Sequence, residues 1–247
     1  MKSVFALFGA KTGSTFPLTV LKDMTRHFFS TGRVPPKKGL EQLFELHGFV
    51  EHIINEKCLE IYDGRHPKHH LWTGHYQFIL DNIKNGDVVL DAGCGASMSY
   101  IQKIAGRCKK IDCCDTRQEL VVKCARENPF DNVNYEVLDI AKNLPPRKYD
   151  VVVMSHVLEH LPDPKSVLEN VKKITSKIII RLPRYDDHWM NLVKKDLGMF
   201  YFKDADHKRE YILSEAIELV ESAGWKVAIA LNDIDIKIVG VMQKCAE

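Results

Sequence analysis

The stretch Val88-Val-Leu-Asp91-Ala-Gly93-Cys-Gly95-Ala-Ser97 decides the fold of this chain of 247 residues. Its first five residues form an apolar run typical of a buried strand, and its two glycines open a turn into a helix predicted over residues 98–106. Glycines suit a turn against which a ligand lies, because a Cβ would block the approach to the backbone. The helix N-terminus beyond the turn offers unpaired N–H groups that favour a carboxylate.

The glycine turn fits neither common phosphate-binding pattern. A dinucleotide fingerprint needs a third glycine where Met98 stands, and a phosphate loop needs a lysine that this stretch lacks. Asp91, immediately before the turn, would repel a pyrophosphate and suits a ligand with an ammonium group. By itself, a plain strand-to-helix turn explains the glycine pair equally well.

A second acidic residue, Asp115, ends the next predicted strand, 20 residues beyond Gly95 (115 − 95 = 20). In a doubly wound sheet, an acid at this place reaches the ribose hydroxyls of a bound nucleoside. A solvated aspartate at a strand end is common, but its joint occurrence with the glycine turn favours a nucleoside-binding site.

Outward from this stretch, short apolar segments alternate with helical patterns. This alternation predicts an α/β fold with a mostly parallel, doubly wound, Rossmann-like sheet covered on both faces. The last two predicted strands are joined by a tight turn at Asn232-Asp233 and must be antiparallel, so the sheet is mixed at one edge. Besides the strand at 88–92, the predicted strands cover residues 110–115, 133–138, 149–155, 177–182, 225–231 and 234–242.

Residues 1–67 lack this alternation of strands and helices. Two helical stretches flank a turn-prone segment at residues 30–39, and the second stretch carries an apolar face along one side. We therefore expect an N-terminal helical accessory segment or lid over residues 1–67 and a ligand-binding domain over residues 68–247.

Composition and charge narrow the classes of protein. The 35 basic and 33 acidic residues nearly cancel, and no run of five like charges occurs, so charge does not support a nucleic-acid partner. No stretch of 18 apolar residues is present, which argues against a membrane span. Seven cysteines without a C-x-x-C pair and without a signal peptide favour reduced thiols and a cytoplasmic location.

The chain resembles the class I S-adenosylmethionine-dependent methyltransferases, especially the type 11-like branch that methylates small molecules, quinones and sugars. The resemblance covers roughly residues 66–242, and Ala96-Ser97 stands where many members have a further glycine. The tail SEAIELVESAGWKV looks like the last helix and strand of that family. The four motifs of the family are matched in order by VLDAGCG, CCDTRQEL, VLDIAKNLP and YDVVVMSHVLEHLPDP.

This resemblance implies S-adenosylmethionine as the cofactor and a seven-stranded sheet of order 3-2-1-4-5-7-6 with the seventh strand antiparallel. It assigns the ribose to Asp115, the adenine amino group to Asp139 and the face of the ring to Ile140. Ligands in such sheets lie where strands one and four adjoin. The expected cofactor-binding residues are Tyr76, Asp91, Ala92, Gly93, Gly95, Asp115, Thr116, Asp139, Ile140 and Ser155.

Candidate catalytic residues follow the fourth strand: His156, Glu159 and His160. They also match the H-x-x-E-H pattern of zinc proteases, which needs a sustained helix to bring both histidines to one face. A strand ends at Ser155 and two prolines follow within nine residues, which disfavours such a helix.

Two interpretations of this triplet stay open within a methyltransferase. In the first, the residues act as a general base or as ligands of Mg²⁺ or Zn²⁺, since the similar quinone and RNA-end methyltransferases use an acidic and histidine cluster at this place. In the second, the residues only cap and pack the loop. Those relatives have a glutamate where His156 stands, so the sequence predicts no definite metal ligand and leaves a divalent metal open. Asp206-His207 is a weaker candidate, since an exposed loop histidine explains it more simply.

Two further segments are weaker candidates for the pocket. Residues 65–70 form a basic, histidine-rich patch that suits a metal, a phosphate or a solvated loop, and His75 follows it. An aromatic stretch after the fifth predicted strand suits a ring-bearing acceptor or a sugar, or belongs to the core. Its members are Trp189, Met190, Phe200, Tyr201 and Phe202.

The leading hypothesis is methyl transfer to an oxygen of a small molecule or glycan. The alternatives are a non-catalytic S-adenosylmethionine-binding regulator or partner subunit and, more remotely, a zinc hydrolase. The motifs do not specify the acceptor or the oligomeric state.

Overall fold

The structure is a computed structural model that describes residues 18–32, 34–64, 76–96 and 100–242. The predicted patch at 65–70, His75, Ser97 and the first residues of the helix predicted from Met98 lie outside these ranges. The chain divides into two units, residues 1–72 and 73–247. The role of the N-terminal residues as an accessory segment or lid stays a prediction.

The described part of the N-terminal unit contains two helices, α1 (Leu18–Ser30) and α2 (Pro36–Ile61). A proline at the first turn starts α2, where its missing N–H is not needed. Phe44 is buried, whereas many of the other apolar side chains on both helices are exposed. None of the described helices of the chain has both the length and the apolar character that a membrane crossing needs.

The second unit is built on a seven-stranded sheet. Its order is β3-β2-β1-β4-β5-β7-β6, and β7 is antiparallel to both of its neighbours. The other neighbouring strands are parallel. This topology confirms the predicted fold class. The strands are β1 (Val88–Ala92), β2 (Lys110–Asp115), β3 (Val133–Val137), β4 (Val151–Ser155), β5 (Lys177–Leu182), β6 (Trp225–Asn232) and β7 (Ile236–Met242).

Helices pack on both faces of this sheet because its central strands are apolar on both sides. Along β1, Leu90 belongs to a core shared with α6 and α8, whereas Val89 belongs to a core shared with α3 and α4. The helices of this unit are α3 (Gln77–Asp81), α4 (Ile101–Ala105), α5 (Gln118–Glu127), α6 (Pro164–Val171), α7 (Trp189–Asp196) and α8 (Leu213–Ser222).

The fold positions a site at the carboxyl edge of the parallel strands. Because β1 lies between β2 and β4, the chain leaves these strands in different directions and opens a crevice between the loops that follow them.

Candidate functional site

A cleft of about 750 Å³, measured up to its open mouth, lies at this edge of the sheet. The loops after β1, β2, β3 and β4 form most of its wall, and the segment before α8 adds Asp206. The lining residues are Gly93, Asp115, Thr116, Arg117, Leu138, Asp139, Ile140, His156, Val157, His160, Leu161 and Asp206.

Gly93 shapes the floor of the cleft. Its φ of +80° is one that other residues rarely adopt, and a Cβ added there would lie 2.5 Å from Cγ2 of Val157. Its N–H donates to the carbonyl oxygen of Cys114 at 2.7 Å, which ties the turn to β2. Both the backbone conformation and the close approach of the loop after β4 therefore require glycine.

Asp115 occupies the end of β2 with its side chain almost fully buried. One carboxylate oxygen accepts hydrogen bonds from N and Nε of Arg117, and the other accepts from N of Gly95 and Nη2 of Arg117. Burial opposes the ionised form, but these hydrogen bonds outweigh it and lower the pKa of Asp115 below its ordinary value. The carboxylate is therefore ionised and fully supplied with donors.

Asp139 follows β3 at the opposite wall. Its Oδ1 accepts from N of Ala141 at 3.0 Å, and its Oδ2 lies 2.8 Å from Nζ of Lys142. The hydrogen bond to Lys142 is the main reason that the pKa of Asp139 lies below its ordinary value. Ile140 and Leu138 supply apolar surface beside it, so this wall suits a flat ring with a donor at its edge.

Asp91 lies below the glycine turn rather than in the cleft wall. Its side chain is 1% exposed, and its Oδ2 accepts no hydrogen bond from any described residue. Desolvation raises its pKa to about 7, and the charge of Asp115 adds to this effect, whereas Tyr100 opposes it. Ala92 is also fully buried, and Gly95 acts through its N–H on Asp115.

His156 begins the loop after β4 and has a φ of +58°, which is uncommon for a residue with a side chain. Two carboxylates flank its ring: Oε1 of Glu159 lies 3.2 Å from Nδ1, and Oδ2 of Asp235 lies 3.3 Å from Nε2. Burial favours the neutral ring, but Asp235 and Glu159 outweigh it and raise the pKa of His156. Both ring nitrogens of His156 therefore face carboxylates, which leaves neither nitrogen free to take a proton from an acceptor.

Asp235 comes from the turn between β6 and β7 and also contacts the buried guanidinium of Arg181. The same guanidinium donates to Oγ of Ser155 at 3.1 Å and lies over the ring of Tyr76, 5.4 Å from its centroid. Ser155 and Tyr76, both expected at the cofactor, are therefore joined through Arg181, outside the lining of the cleft.

Glu159 and His160 lie in a three-residue 3₁₀ turn, Leu158–His160, instead of the sustained helix that a zinc protease needs. The side chain of Glu159 is fully buried. His160 faces the cleft, its Nδ1 lies 3.2 Å from Oδ2 of Asp206, and its ring meets that of His207 edge to face. His207 is only 7% exposed, so the expectation of an exposed loop histidine was wrong.

The structure thus brings seven of the thirteen predicted site residues into the cleft wall. These are Gly93, Asp115, Thr116, Asp139, Ile140, His156 and His160. Sequence reasoning missed Arg117, Asp235 and Glu210. Arg117 carried a signal, because a basic residue two positions after a strand-end acid can reach back to it, whereas the other two depend on tertiary contacts.

The cleft fits an adenosyl amino acid. Asp115, Asp139 and Ile140 all line the cleft and would hold the ribose and the adenine ring, and Oδ2 of Asp91, near the glycine turn, is buried and has no hydrogen-bond partner among the described residues. A ligand with an ammonium group would satisfy that oxygen, since buried charges require partners.

Comparisons with known proteins agree with this geometry. A family model described as a methyltransferase domain matches residues 90–177, which run from β1 to the start of β5. No curated protein matches the sequence.

Three solved structures illustrate the similarity in fold. A putative methyltransferase from Haloferax volcanii, solved with its Trm112 activator, has a TM-score of 0.58 at 16% identity, with 72% of this chain and 92% of that chain covered. The N-methyltransferase NodS from Bradyrhizobium japonicum, with S-adenosyl-L-homocysteine bound, has a TM-score of 0.52 at 15% identity over 69% and 86%. The magnesium protoporphyrin IX methyltransferase of Synechocystis, also with S-adenosyl-L-homocysteine, has a TM-score of 0.53 at 15% identity over 91% and 95%.

The matching methyltransferase domain thus covers the central part of the chain, and the solved structures share its fold. Both findings support methyl transfer.

Proposed function

We propose that the protein transfers the methyl group of S-adenosylmethionine to an oxygen of a small molecule or glycan. The observation that carries this proposal is the grouping of Glu159, His160 and His207 next to the cofactor cleft. An oxygen acceptor must lose a proton as it reacts, and this grouping supplies the polar groups that such activation needs.

The bound cofactor would supply an electrophilic methyl group on a sulfonium. The residues of the chain bind and align: Asp115 would hold the ribose, Asp139 and Ile140 the adenine, and Asp91 the ammonium group. Alignment is the main requirement of such a displacement, because a bound and oriented pair of reactants avoids the entropic cost of a bimolecular encounter.

Aromatic side chains in the connection between β5 and α8 support an acceptor with a ring. Tyr201 packs edge to face against Tyr185 and Phe202, and Trp189 and Phe200 remain more than half exposed. Exposed aromatic surface in this connection suits a sugar or an aromatic ring.

Calorimetric titration of S-adenosyl-L-homocysteine tests the cofactor site. We expect binding to the wild type and a loss of about 10- to 150-fold in Asp115→Ala, because hydrogen bonds to a charged acceptor contribute about 1.5–3 kcal/mol. Glu136→Ala, an exposed acid on the neighbouring β3, is the matched control and should bind as the wild type does. Equal affinities for the wild type and Asp115→Ala would remove Asp115 from the site.

The acceptor atom is tested with cofactor labelled with ¹³C in its methyl group, incubated with a panel of small molecules and glycans. The chemical shift of the product methyl carbon distinguishes an O-methyl from an N-methyl group, and an N-methyl product would contradict the proposal. Cofactor binding without turnover of any acceptor until a partner protein is added would instead favour the alternative of a partner subunit. The test includes a partner protein because the structurally similar Haloferax protein was solved with an activator.

A further inference from the structure

Exposed apolar side chains are concentrated in the N-terminal unit. Of the 20 large apolar residues that are exposed in the described parts of the chain, 11 lie in α1 and α2, which are only 13 and 26 residues long. Extended apolar patches on a protein surface mark sites of interaction. Seven of these residues lie on α2: Leu43, Leu46, Phe49, Val50, Ile53, Ile54 and Ile61.

The middle of α2 is exposed on all sides. Every residue from 45 to 57 is exposed, over a length of about 20 Å. Isolated helical stretches of this length are marginal in water, because most helices in proteins are stabilised by the packing of an apolar face. This part of α2 therefore needs a partner that covers its apolar side chains.

Four of these side chains form a stripe along α2: Leu43, Leu46, Val50 and Ile53. They are spaced by three, four and three residues, which keeps them on one face of the helix and is the spacing at which paired helices pack. The spacing reads the same in both directions. Two antiparallel copies of α2 aligned at residue 48 would therefore place Leu43 of each copy against Ile53 of the other. Leu46 would lie against Val50 in the same way.

The charges beside the stripe favour this antiparallel direction. Lys38, near the start of α2, lies on the same flank of the stripe as Glu56 and Glu60, near its end. The same flanks meet when two copies run antiparallel, so Lys38 of each copy would lie between Glu56 and Glu60 of the other. Both acids also contact a basic residue of their own helix, but at exposed positions, where such pairs are weak. A parallel pair would instead bring like charges together at both ends.

The face opposite the stripe argues against a membrane surface as the occupant. It carries Glu41, Glu45 and Glu51 together with Lys37, so its net charge is negative. Helices that lie on anionic membranes carry lysine and arginine on their polar face. A protein surface is therefore the better partner for the stripe.

We propose that α2 pairs with α2 of a second copy of this chain and forms an antiparallel dimer with the stripe at its centre. Such a two-fold interface is self-complementary, because residue i contacts residue j and j contacts i. Phe49 and Ile54, on either side of the stripe, widen the apolar contact. The interface uses no residue of the cofactor cleft, so this inference is independent of the proposed function.

Sedimentation equilibrium of the full chain tests the self-association directly. We expect a monomer–dimer equilibrium in the wild type and association at least about 100-fold weaker in Val50→Glu, because the dimer would then bury two unpaired carboxylates. Val122→Glu, at an exposed position of α5, is the matched control and should associate as the wild type does. Circular dichroism checks that both variants are folded, which is expected because both positions are exposed.

A charge reversal tests the direction of the pair. Lys38→Glu should weaken association about 3- to 30-fold, because two symmetry-related attractions at exposed positions become repulsions. Addition of Glu56→Lys and Glu60→Lys to that variant should restore the association. Unchanged or stronger association in Lys38→Glu would overturn the antiparallel arrangement, since a parallel pair would gain from the loss of a repulsion between lysines.

Two further outcomes would overturn the dimer itself. One is a wild type that stays monomeric at submillimolar concentration, and slow hydrogen exchange at residues 45–57 in that monomer would assign the stripe to a contact within the same chain. The other is a dimer that Val50→Glu leaves unchanged, which would place the interface on another surface.

Discussion

The two ends of the cleft differ in where their acidic side chains find partners. At the adenosyl end, Asp115 is bound by Arg117 and Asp139 by Lys142, two and three residues away in sequence. At the acceptor end, His156 meets Asp235, 79 residues further along the chain, and His160 meets His207, 47 residues away (207 − 160 = 47). The first end is organised locally and the second by the tertiary fold.

This difference predicts how each end responds to a ligand. The adenosyl acids are already supplied with donors, so a nucleoside must displace some of the contacts made by the protein itself. The acceptor end instead contains the buried carboxylate of Glu159, which lies 3.2 Å from Nδ1 of His156. Variants that break the buried contacts of the acceptor end should therefore change stability, whereas loss of the exposed Arg117 at the adenosyl end should change affinity with little effect on folding.

Loss of Asp235 should have the largest effect, because the acceptor end depends on distant contacts. Asp235→Ala leaves the guanidinium of Arg181, 1% exposed, without its carboxylate, and removing one member of a buried ion pair costs about 3–5 kcal/mol. Urea denaturation followed by circular dichroism measures this loss.

An exposed ion pair provides the control for this variant. Glu127→Ala removes the partner of Arg126 on the surface and should cost less than about 1 kcal/mol. Equal losses in the two variants would show that the contact between Asp235 and Arg181 contributes no more than a surface pair.

Asp91 should make both stability and cofactor affinity depend on pH. Its pKa is about 7 in the folded chain and about 3.9 in an unfolded one, so between these values the folded state binds the extra proton. Stability should therefore fall as the pH rises from about 4 to about 7, with a slope of at most about 1.4 kcal/mol per unit. Denaturation midpoints of the wild type and Asp91→Asn should diverge over this range, the variant being relatively more stable at high pH.

Cofactor affinity should change in the opposite sense. The ammonium group of the ligand favours the ionised carboxylate, so binding of S-adenosyl-L-homocysteine should strengthen by up to about tenfold per pH unit below 7 and then level off. The same titration with 5′-methylthioadenosine, which lacks the ammonium group, is the control and should vary little. An equal pH dependence for both ligands would mean that Asp91 does not contact the amino-acid part.

The sequence predicted several of the residues that line the adenosyl end of the cleft, because the rules that apply there are local. The spacing from Gly95 to Asp115 spans one strand-to-strand unit, and the order of strands followed from the family resemblance. The antiparallel pair at the end of the chain was evident from a turn too short for a crossover. Some bounds were less accurate, since β4 covers Val151–Ser155 within the predicted 149–155.

The acceptor end was only partly predictable because its contacts are distant in sequence. The sequence identified His156, Glu159 and His160 as a motif, but nothing in the motif indicates that Asp235 would lie against Nε2 of His156. His207 was a weaker candidate, for which an exposed loop histidine was the simpler explanation, whereas its side chain is buried with Glu210 at its Nδ1. The contact between His156 and Asp235 and the burial of His207 both depend on where the loops lie in the folded chain, and the spacing of residues in the sequence does not give that position.

Arg117 should give the smallest effect and the sharpest test of the adenosyl end. Its guanidinium donates two of the four hydrogen bonds to Asp115, and its side chain is 57% exposed, so it can leave at low cost. Arg117→Ala should leave one backbone donor on each oxygen, make room for a ribose hydroxyl at each, and strengthen S-adenosyl-L-homocysteine binding by up to about fivefold, the scale of an exposed ion pair. Arg126→Ala, another exposed arginine near the end of α5, should leave the affinity unchanged. Weaker binding in Arg117→Ala would mean that the guanidinium contacts the nucleoside instead of competing with it for Asp115. Arg117 would then be part of the binding site for the nucleoside.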